Sequence, residues 1–247
     1  MVATARPLRQ SIKHNAPGLR FEKDLWAAGN QVVAGIDEVG RGSWAGPLTL
    51  AAVVVPQGRR LYKVRDSKML TEAEREVMHD RILDWASRVS VAHASQQECD
   101  ELGMSAAQKL AAQRALNGLG EPVDHVLVDG NWDFVESVPT TRIIKGDAVS
   151  LSIAAASIVA KVTRDRIMGD WDRHYPAFGF ASNKGYPCPR HKAALAAFGP
   201  TAVHRRSWVF MDDLRWTAVP RVVEDSPQPR PERPVSAANK SGIQRLF

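Results

Sequence analysis

The 247-residue sequence predicts an α/β fold, a central sheet flanked by helices, and three observations carry the prediction. Short β-branched runs alternate with segments whose apolar residues recur at helical spacing, the pattern of strands connected through helices. Several of those runs stop at an acidic residue beside a glycine. A chain of this length can also bury a core without disulfide staples. Sheets of this kind bind ligands beyond one edge of their strands, so acids at strand ends become the first candidates for chemistry.

The elements follow in order. Residues 1–20 are polar, basic and aperiodic and are read as a flexible arm, with order expected from near Phe21. Gln31 to Ile36 and Thr49 to Val55 are β-branched runs, read as neighbouring strands joined by a Gly/Pro turn; the second is apolar throughout and is expected to be central. Thr71-Glu72-Ala73-Glu74 is a capping-box pattern, and Val77, Ile82, Leu83 and Trp85 then recur at helical spacing, so a helix is expected to about Ser87. Ser90 to Ala94 reads as a strand. Ser105-Ala106-Ala107-Gln108 repeats the capping signal and predicts an alanine-rich helix ending at Gly118 and Gly120.

Val126 to Val128 predicts a short strand stopping at Asp129-Gly130, and Thr141 to Ile144 predicts another stopping at Lys145-Gly146-Asp147. Ile153, Ala156, Ala160 and Ile167, with small residues between, predict a long, closely packed helix from Ser150 to about Trp171, with shorter helices to Trp216. Residues 21–217 are thus read as one folded domain with a C-terminal helical extension. From Ser226 prolines mix with charges, a composition unable to bury enough surface to fold, and residues 218–247 are read as a disordered tail.

Composition narrows the function. Two cysteines, Cys99 and Cys188, suit neither a disulfide framework nor a cysteine-rich metal site, which points to a reducing compartment. The N-terminus lacks the apolar core of a signal peptide, and the longest apolar stretch, Leu50 to Val55, is far too short to span a bilayer, so a cytoplasmic location is expected. A net charge of +6 and a pI near 9.5 favour polyanionic partners.

The chemistry concentrates in Gly35-Ile36-Asp37-Glu38-Val39-Gly40-Arg41-Gly42-Ser43-Trp44-Ala45-Gly46-Pro47, where an apolar run delivers two carboxylates into a glycine-rich turn carrying one arginine. Asp37, Glu38, Asp129 and Asp147 are the four candidate acids. Any one alone could simply occupy a turn or a helix cap. Four that converge from separate segments could hold two divalent cations, one activating water and one stabilising the leaving oxygen. Consecutive strand residues point to opposite faces, so Asp37 and Glu38 are expected to converge through a bend that Gly40 and Gly42 permit. Without cations the cluster would repel itself and its carboxyl pKa values would rise.

At these residues the chain resembles ribonuclease HII, the type 2 ribonucleases H. The resemblance rests on Gly-Ile-Asp-Glu-Val-Gly-Arg-Gly, Asp66-Ser67-Lys68, Val128-Asp129-Gly130, Lys145-Gly146-Asp147, the run from Ala154 to Asp165, and Lys184-Gly185-Tyr186-Pro187. It spans roughly Val32 to Trp208. It implies an RNase H-like fold with a central mixed β-sheet, and an endoribonuclease that cleaves the RNA strand of RNA/DNA hybrids and cuts at single ribonucleotides embedded in duplex DNA. It further implies two-metal-ion catalysis with Mg2+ or Mn2+, leaving 5′-phosphate and 3′-hydroxyl ends. By the match, Asp37, Glu38, Asp129 and Asp147 are the catalytic, metal-binding acids.

The resemblance also assigns Gly40, Arg41 and Gly42 to contact with the ribose, whose 2′-hydroxyl is what separates RNA from DNA at one site. Tyr186 would stack on the sugar of the next deoxynucleotide. Arg41, Lys68 and Lys161 are candidate phosphate contacts and Ser67 a hydroxyl contact, while Asp165 and His191 are given supporting roles. The chain departs from relatives at Ser43-Trp44, where proline and an aliphatic residue are usual, and at Cys188, where threonine is common; Trp44 is expected in the core.

Other classes fit less well. Gly40-Arg41-Gly42 lacks the third glycine of a dinucleotide fingerprint, and no phosphate-loop lysine pattern follows. A non-enzymatic nucleic-acid binder would explain the basic charge but not four acids beside an anionic ligand. An RNase H-like exonuclease or resolvase could use a similar acid cluster, but Gly-Arg-Gly and Tyr186 oppose it. The terminal Ile243-Gln244-Arg245-Leu246-Phe247 loosely resembles a sliding-clamp docking peptide, although its spacing is short. A monomer is the default expectation.

Overall fold

The computed structural model describes residues 16–214. Five strands form one mixed sheet in the order β3-β2-β1-β4-β5, with β1 Val33–Val39, β2 Leu48–Val54, β3 Arg88–Ala94, β4 His125–Asp129 and β5 Thr140–Ile143. β1 pairs antiparallel with β2, which pairs antiparallel with β3, while β1–β4 and β4–β5 are parallel. The expected strand from Gln31 starts two residues later and runs on through both acids, and it is the middle of the sheet.

Helix α1, Arg20–Ala27, precedes the sheet, and Gly18 bridges to Ser150. No strong periodic signal announced α1. It is held from outside itself: the buried carboxylate of Glu22 accepts from the Ser150 hydroxyl at 2.7 Å and from the Ser152 amide at 2.9 Å. α2 is Glu72–Trp85, closed at its start by the expected capping box of Thr71 and Glu74. α3 is Gln96–Asn117. Its N-cap is Ser95, in a capping box with Glu98, so the expected start at Ser105 was too late; a break at Gly103, φ 74°, divides the helix and hid the continuity. The short α4, Gly146–Val149, leads into α5, Leu151–His174, which outlasts the expected end at Trp171. α6, Phe180–Asn183, and α7, Pro189–Phe198, complete the helical extension, with 3-10 turns at Pro176–Phe178 and Val209–Met211.

β2 is buried on both faces, which explains its unbroken apolar run. Ala51 and Val53 face a cluster built with α2 and α5, while Leu48, Leu50 and Ala52 face one built with α3. α5 lies so close on β1 that a Cβ on Gly35 would stand 2.3 Å from the Ser152 backbone. A third cluster, Phe178, Phe180, Leu195, Phe210 and their neighbours, joins the C-terminal helices, and the partly buried Trp44 packs there as expected, stacked on Phe210 at 4.5 Å.

Candidate active site

Ile36 on β1 pairs with Val128 on β4, so the next residue on each of these parallel strands is an acid, Asp37 and Asp129. Asp37, Glu38 and Asp129 line one cleft of about 380 Å³. The expected bend does not occur at the pair, since Asp37 and Glu38 remain in the ladder opposite Ala51 and Leu50. Their side chains leave opposite faces, but the strand ends at Val39 and the cleft wraps over that end. The chain turns at Gly40, φ 91°, where a side chain would collide with Arg164 at 2.1 Å.

Asp147 is placed differently. Lys145 adopts left-handed backbone, φ 56°, which turns Gly146 so that its N–H donates to Asp129 Oδ1 at 2.6 Å. The following Asp147 is buried against Asp66, with Oδ2 3.8 Å from the Lys68 ammonium. Three of the four predicted acids therefore share the cleft, and the fourth adjoins Asp129 from beside it.

Burial drives the Asp37 carboxyl well above its ordinary range, and the Glu38 and Asp129 charges push the same way. Glu38 is raised by burial, with Arg41 pulling against it. Asp147 is raised by burial and by Asp66 and Asp129, against Lys68. Burial works to lower Lys68, but Asp66, Asp147, Asp37 and Asp129 outweigh it and hold the ammonium above its usual value. Lys68, 3.8 Å from Asp147, is thus one of two cations beside the acids, Arg41 acting more strongly on Glu38.

The remaining predicted contacts line the same cleft: Gly40, Arg41, Gly42, Ser67, Lys68, Lys161 and Tyr186. Arg41 and Lys68 are exposed, and Tyr186 is 36% exposed, its ring 3.8 Å from where a Gly42 side chain would begin. Ser67 is buried and accepts from the Ser157 hydroxyl at 2.8 Å. Lys161 is more constrained than a surface lysine, because its ammonium donates to Asp165 at 2.7 Å and burial lowers its pKa. Asp165 also lies 3.9 Å from Arg75 and 4.0 Å from Lys184, so it gathers three cations along one wall. His191 supports Tyr186 directly, its Nδ1 2.9 Å from the Tyr186 carbonyl, and its Nε2 meets Nε2 of His204 at 2.9 Å.

Sequence reasoning missed Asp66, Arg75 and Ser157 as site neighbours, and above all two fully buried arginines, Arg164 and Arg205. Arg164 lies inside the matched run yet received no role. Burial lowers both, Arg164 to about 10, so Arg164 stays charged at neutral pH. Their one signal was adjacency to acidic or aromatic neighbours, which a basic chain offers at many places.

Among the described residues no three His, Cys, Asp or Glu side chains are gathered tightly enough to hold one ion as they stand. The donor chemistry nonetheless fits hard divalent cations: the acids offer oxygen only, and burial first and neighbouring carboxylates second raise their pKa values, a cost that a cation would offset. No helix among the described residues is long and apolar enough to cross a membrane.

A family model described as Ribonuclease HII matches residues 34–211. The Ribonuclease HII of Streptomyces avermitilis is 44% identical over 214 residues, covering 85% of this chain and 92% of that one. Among solved structures, the ribonuclease H2 of Pyrococcus horikoshii superposes with a TM-score of 0.63 at 30% identity, covering 74% of this chain and 96% of that one. The RNase HII of Archaeoglobus fulgidus, solved in a PCNA:RNase HII complex, gives a TM-score of 0.62 at 28% identity, covering 72% and 95%.

Proposed function

The chain belongs to the ribonuclease HII family and is a metal-dependent endoribonuclease of the RNA/DNA-hybrid class, and we propose that it also cuts on the 5′ side of single ribonucleotides embedded in duplex DNA. On this reading residues 21–217 form one catalytic domain, working in the cytoplasm. The observation that carries it is one cleft lined by Asp37, Glu38 and Asp129 together with Gly40, Arg41, Gly42 and Tyr186.

Asp37, Glu38, Asp129 and Asp147 would hold two cations, Mg2+ or Mn2+. Bound there, the ions would offset the carboxylate charge, activate water and stabilise the leaving oxygen. The chain's own groups do the rest. Arg41 and Lys68 counter the phosphodiester charge beside the acids and position the backbone. Amides of the Gly40-Arg41-Gly42 turn approach the ribose closely because glycine leaves no side chain in the way. Tyr186, presented by the turn that His191 supports, packs its ring against the neighbouring sugar.

The test is one duplex carrying a single ribonucleotide, incubated with magnesium, with manganese and with chelator. Cutting 5′ to the ribonucleotide, with a 5′-phosphate product and no reaction in chelator, is expected. Equal cutting of the all-DNA duplex would overturn the reading.

A sliding-clamp contact is proposed for the C-terminal segment, on the strength of the PCNA complex of the archaeal relative and the apolar residues that end this chain. That segment lies outside the described residues. Deleting residues 243–247 without loss of clamp affinity would dispose of it.

A further inference from the structure

The loop of residues 40–47 leaves β1 with little internal bonding of its own. The Ser43 amide and hydroxyl donate to the Gly40 carbonyl, and the other contacts reach outward to distant chain. Two buried guanidiniums take most of its carbonyls. Arg205 donates to Gly40 O at 2.7 Å, Arg41 O at 2.9 Å and Gly46 O at 3.0 and 3.1 Å, while its backbone amide reaches Trp44 O at 2.8 Å. Arg164 donates to Pro47 O at 2.9 Å, Ala45 O at 3.0 Å and the Ser43 hydroxyl at 2.7 Å. Its remaining arm reaches Lys184 O at 2.8 Å, two residues before Tyr186.

A planar trans peptide points its N–H opposite to its C=O. Because Arg205 draws the Gly40 and Arg41 carbonyls inward, the amide hydrogens of Arg41 and Gly42 are turned the other way, and these residues line the cleft. Neither amide has an acceptor among the described residues. We propose that Arg205 and Arg164 are the specificity-positioning residues of this enzyme, Arg205 aiming the Arg41 and Gly42 amides at the 2′-oxygen and Arg164 fixing the separation between that loop and Tyr186. A guanidinium suits the task because its fixed planar fork serves several carbonyls at once, which a lysine ammonium on a flexible stem cannot. Neither arginine touches the substrate.

This inference rests on the reading of the loop as the ribose-sensing element. Its test therefore measures binding apart from cleavage, with the full chain in an Asp129→Asn background. Affinities are compared for two duplexes of one sequence, with and without a single ribonucleotide, for that protein and for versions also carrying Arg205→Lys or Arg205→Gln. Thermal melting accompanies each variant. The Asp129→Asn protein should prefer the ribonucleotide duplex. Arg205→Lys should melt cooperatively, keep its all-DNA affinity and lose the preference about tenfold or more, since displacement of a positioned group by about 1 Å costs up to about a hundredfold. Arg205→Gln, which keeps two donors and no charge, should lose the preference at least as far.

If the protein with intact arginines shows no preference, the ribose-loop reading fails. If it prefers the ribonucleotide and both Arg205 variants keep that preference while folded, the positioning role fails alone. If neither variant folds, the role is likewise overturned, because Arg205 then holds the domain rather than the loop.

Discussion

Two neighbouring regions of this molecule bury charge and treat it in opposite ways. Asp37, Glu38 and Asp147 each lie within reach of the Asp129 charge, and burial raises each of them. Around residues 40–47, Arg164 and Arg205 are fully buried, and loop carbonyls meet their guanidinium donors. One region holds buried carboxylates that a cation can offset, and the other is satisfied by its own hydrogen bonds. The difference teaches which part awaits a ligand and which part shapes the site for it.

The largest expected effect breaks the first region. Asp37→Asn and Asp147→Asn should each lower turnover at least about a thousandfold, the scale seen when a member of a catalytic unit is removed. Both should melt at or above the unsubstituted protein in chelator, because each removes a repelling charge. Retained turnover would take that residue out of the site, and a large fall in melting temperature would show that the carboxylate supports the fold.

Next, divalent cation should close the gap between the regions. Saturating Mg2+ or Mn2+ at about a hundred times its dissociation constant should stabilise the protein by about 2.7 kcal/mol, roughly 5 to 11 °C in melting temperature. Asp37→Asn should lose most of that gain, and an equal gain in both proteins would place the ion elsewhere.

The second region breaks from within at Gly40. Its φ of 91° and the Arg164 side chain at 2.1 Å leave no room for a methyl group. Gly40→Ala should cost about 2 kcal/mol, roughly 4 to 8 °C, and lower kcat/KM with it. Unchanged melting and kinetics would mean that the loop repacks freely.

Acid titration sets the acid cluster against a third buried group, the histidine pair behind Tyr186. Burial lowers His191, and burial with the neighbouring His191 lowers His204 to about 3. The unfolded chain binds those protons first, so the pair's stabilisation is present above pH 6.5 and is lost as pH falls toward 3. Asp37, Glu38 and Asp147 act oppositely. Their folded pKa values are raised, so the folded state takes protons first and gains stability as pH falls toward the ordinary carboxylate range. Urea midpoints between pH 7.5 and 4.5 should therefore fall more steeply for Asp37→Asn than for the unsubstituted protein; parallel curves would contradict the assignment.

The smallest effect lies at the start of α2, next to the cleft but outside its lining. Thr71→Ala removes the capping box of α2 and should cost about 1 kcal/mol, a shift of roughly 2 to 4 °C, without touching kinetics. A change in kcat would show that α2, which carries Arg75, transmits to the cleft.

Local signals carry much of the fold. The strand runs, the Thr71 capping box and the apolar β2 were legible because each is stated by adjacent residues. The start of α3 is hidden where Gly103 interrupts the period, and α1 carries no local signal because Glu22 finds its partners only at Ser150 and Ser152. Asp37, Glu38 and Asp129 stood out as acids at strand ends. Asp147 did too, but its place beside the cleft depends on the left-handed Lys145 and on Asp66.

By itself, then, the sequence determined the alternation of strands and helices, the acids that end the strands and the glycine turn that follows them, all properties written in neighbours or in a short period. The tertiary structure alone decided which charges face each other, because a buried arginine and a surface arginine are the same letter. Arg205 meets the Gly40 carbonyl from 165 positions away, and only the closed fold brings the two together and excludes the water that would otherwise satisfy both.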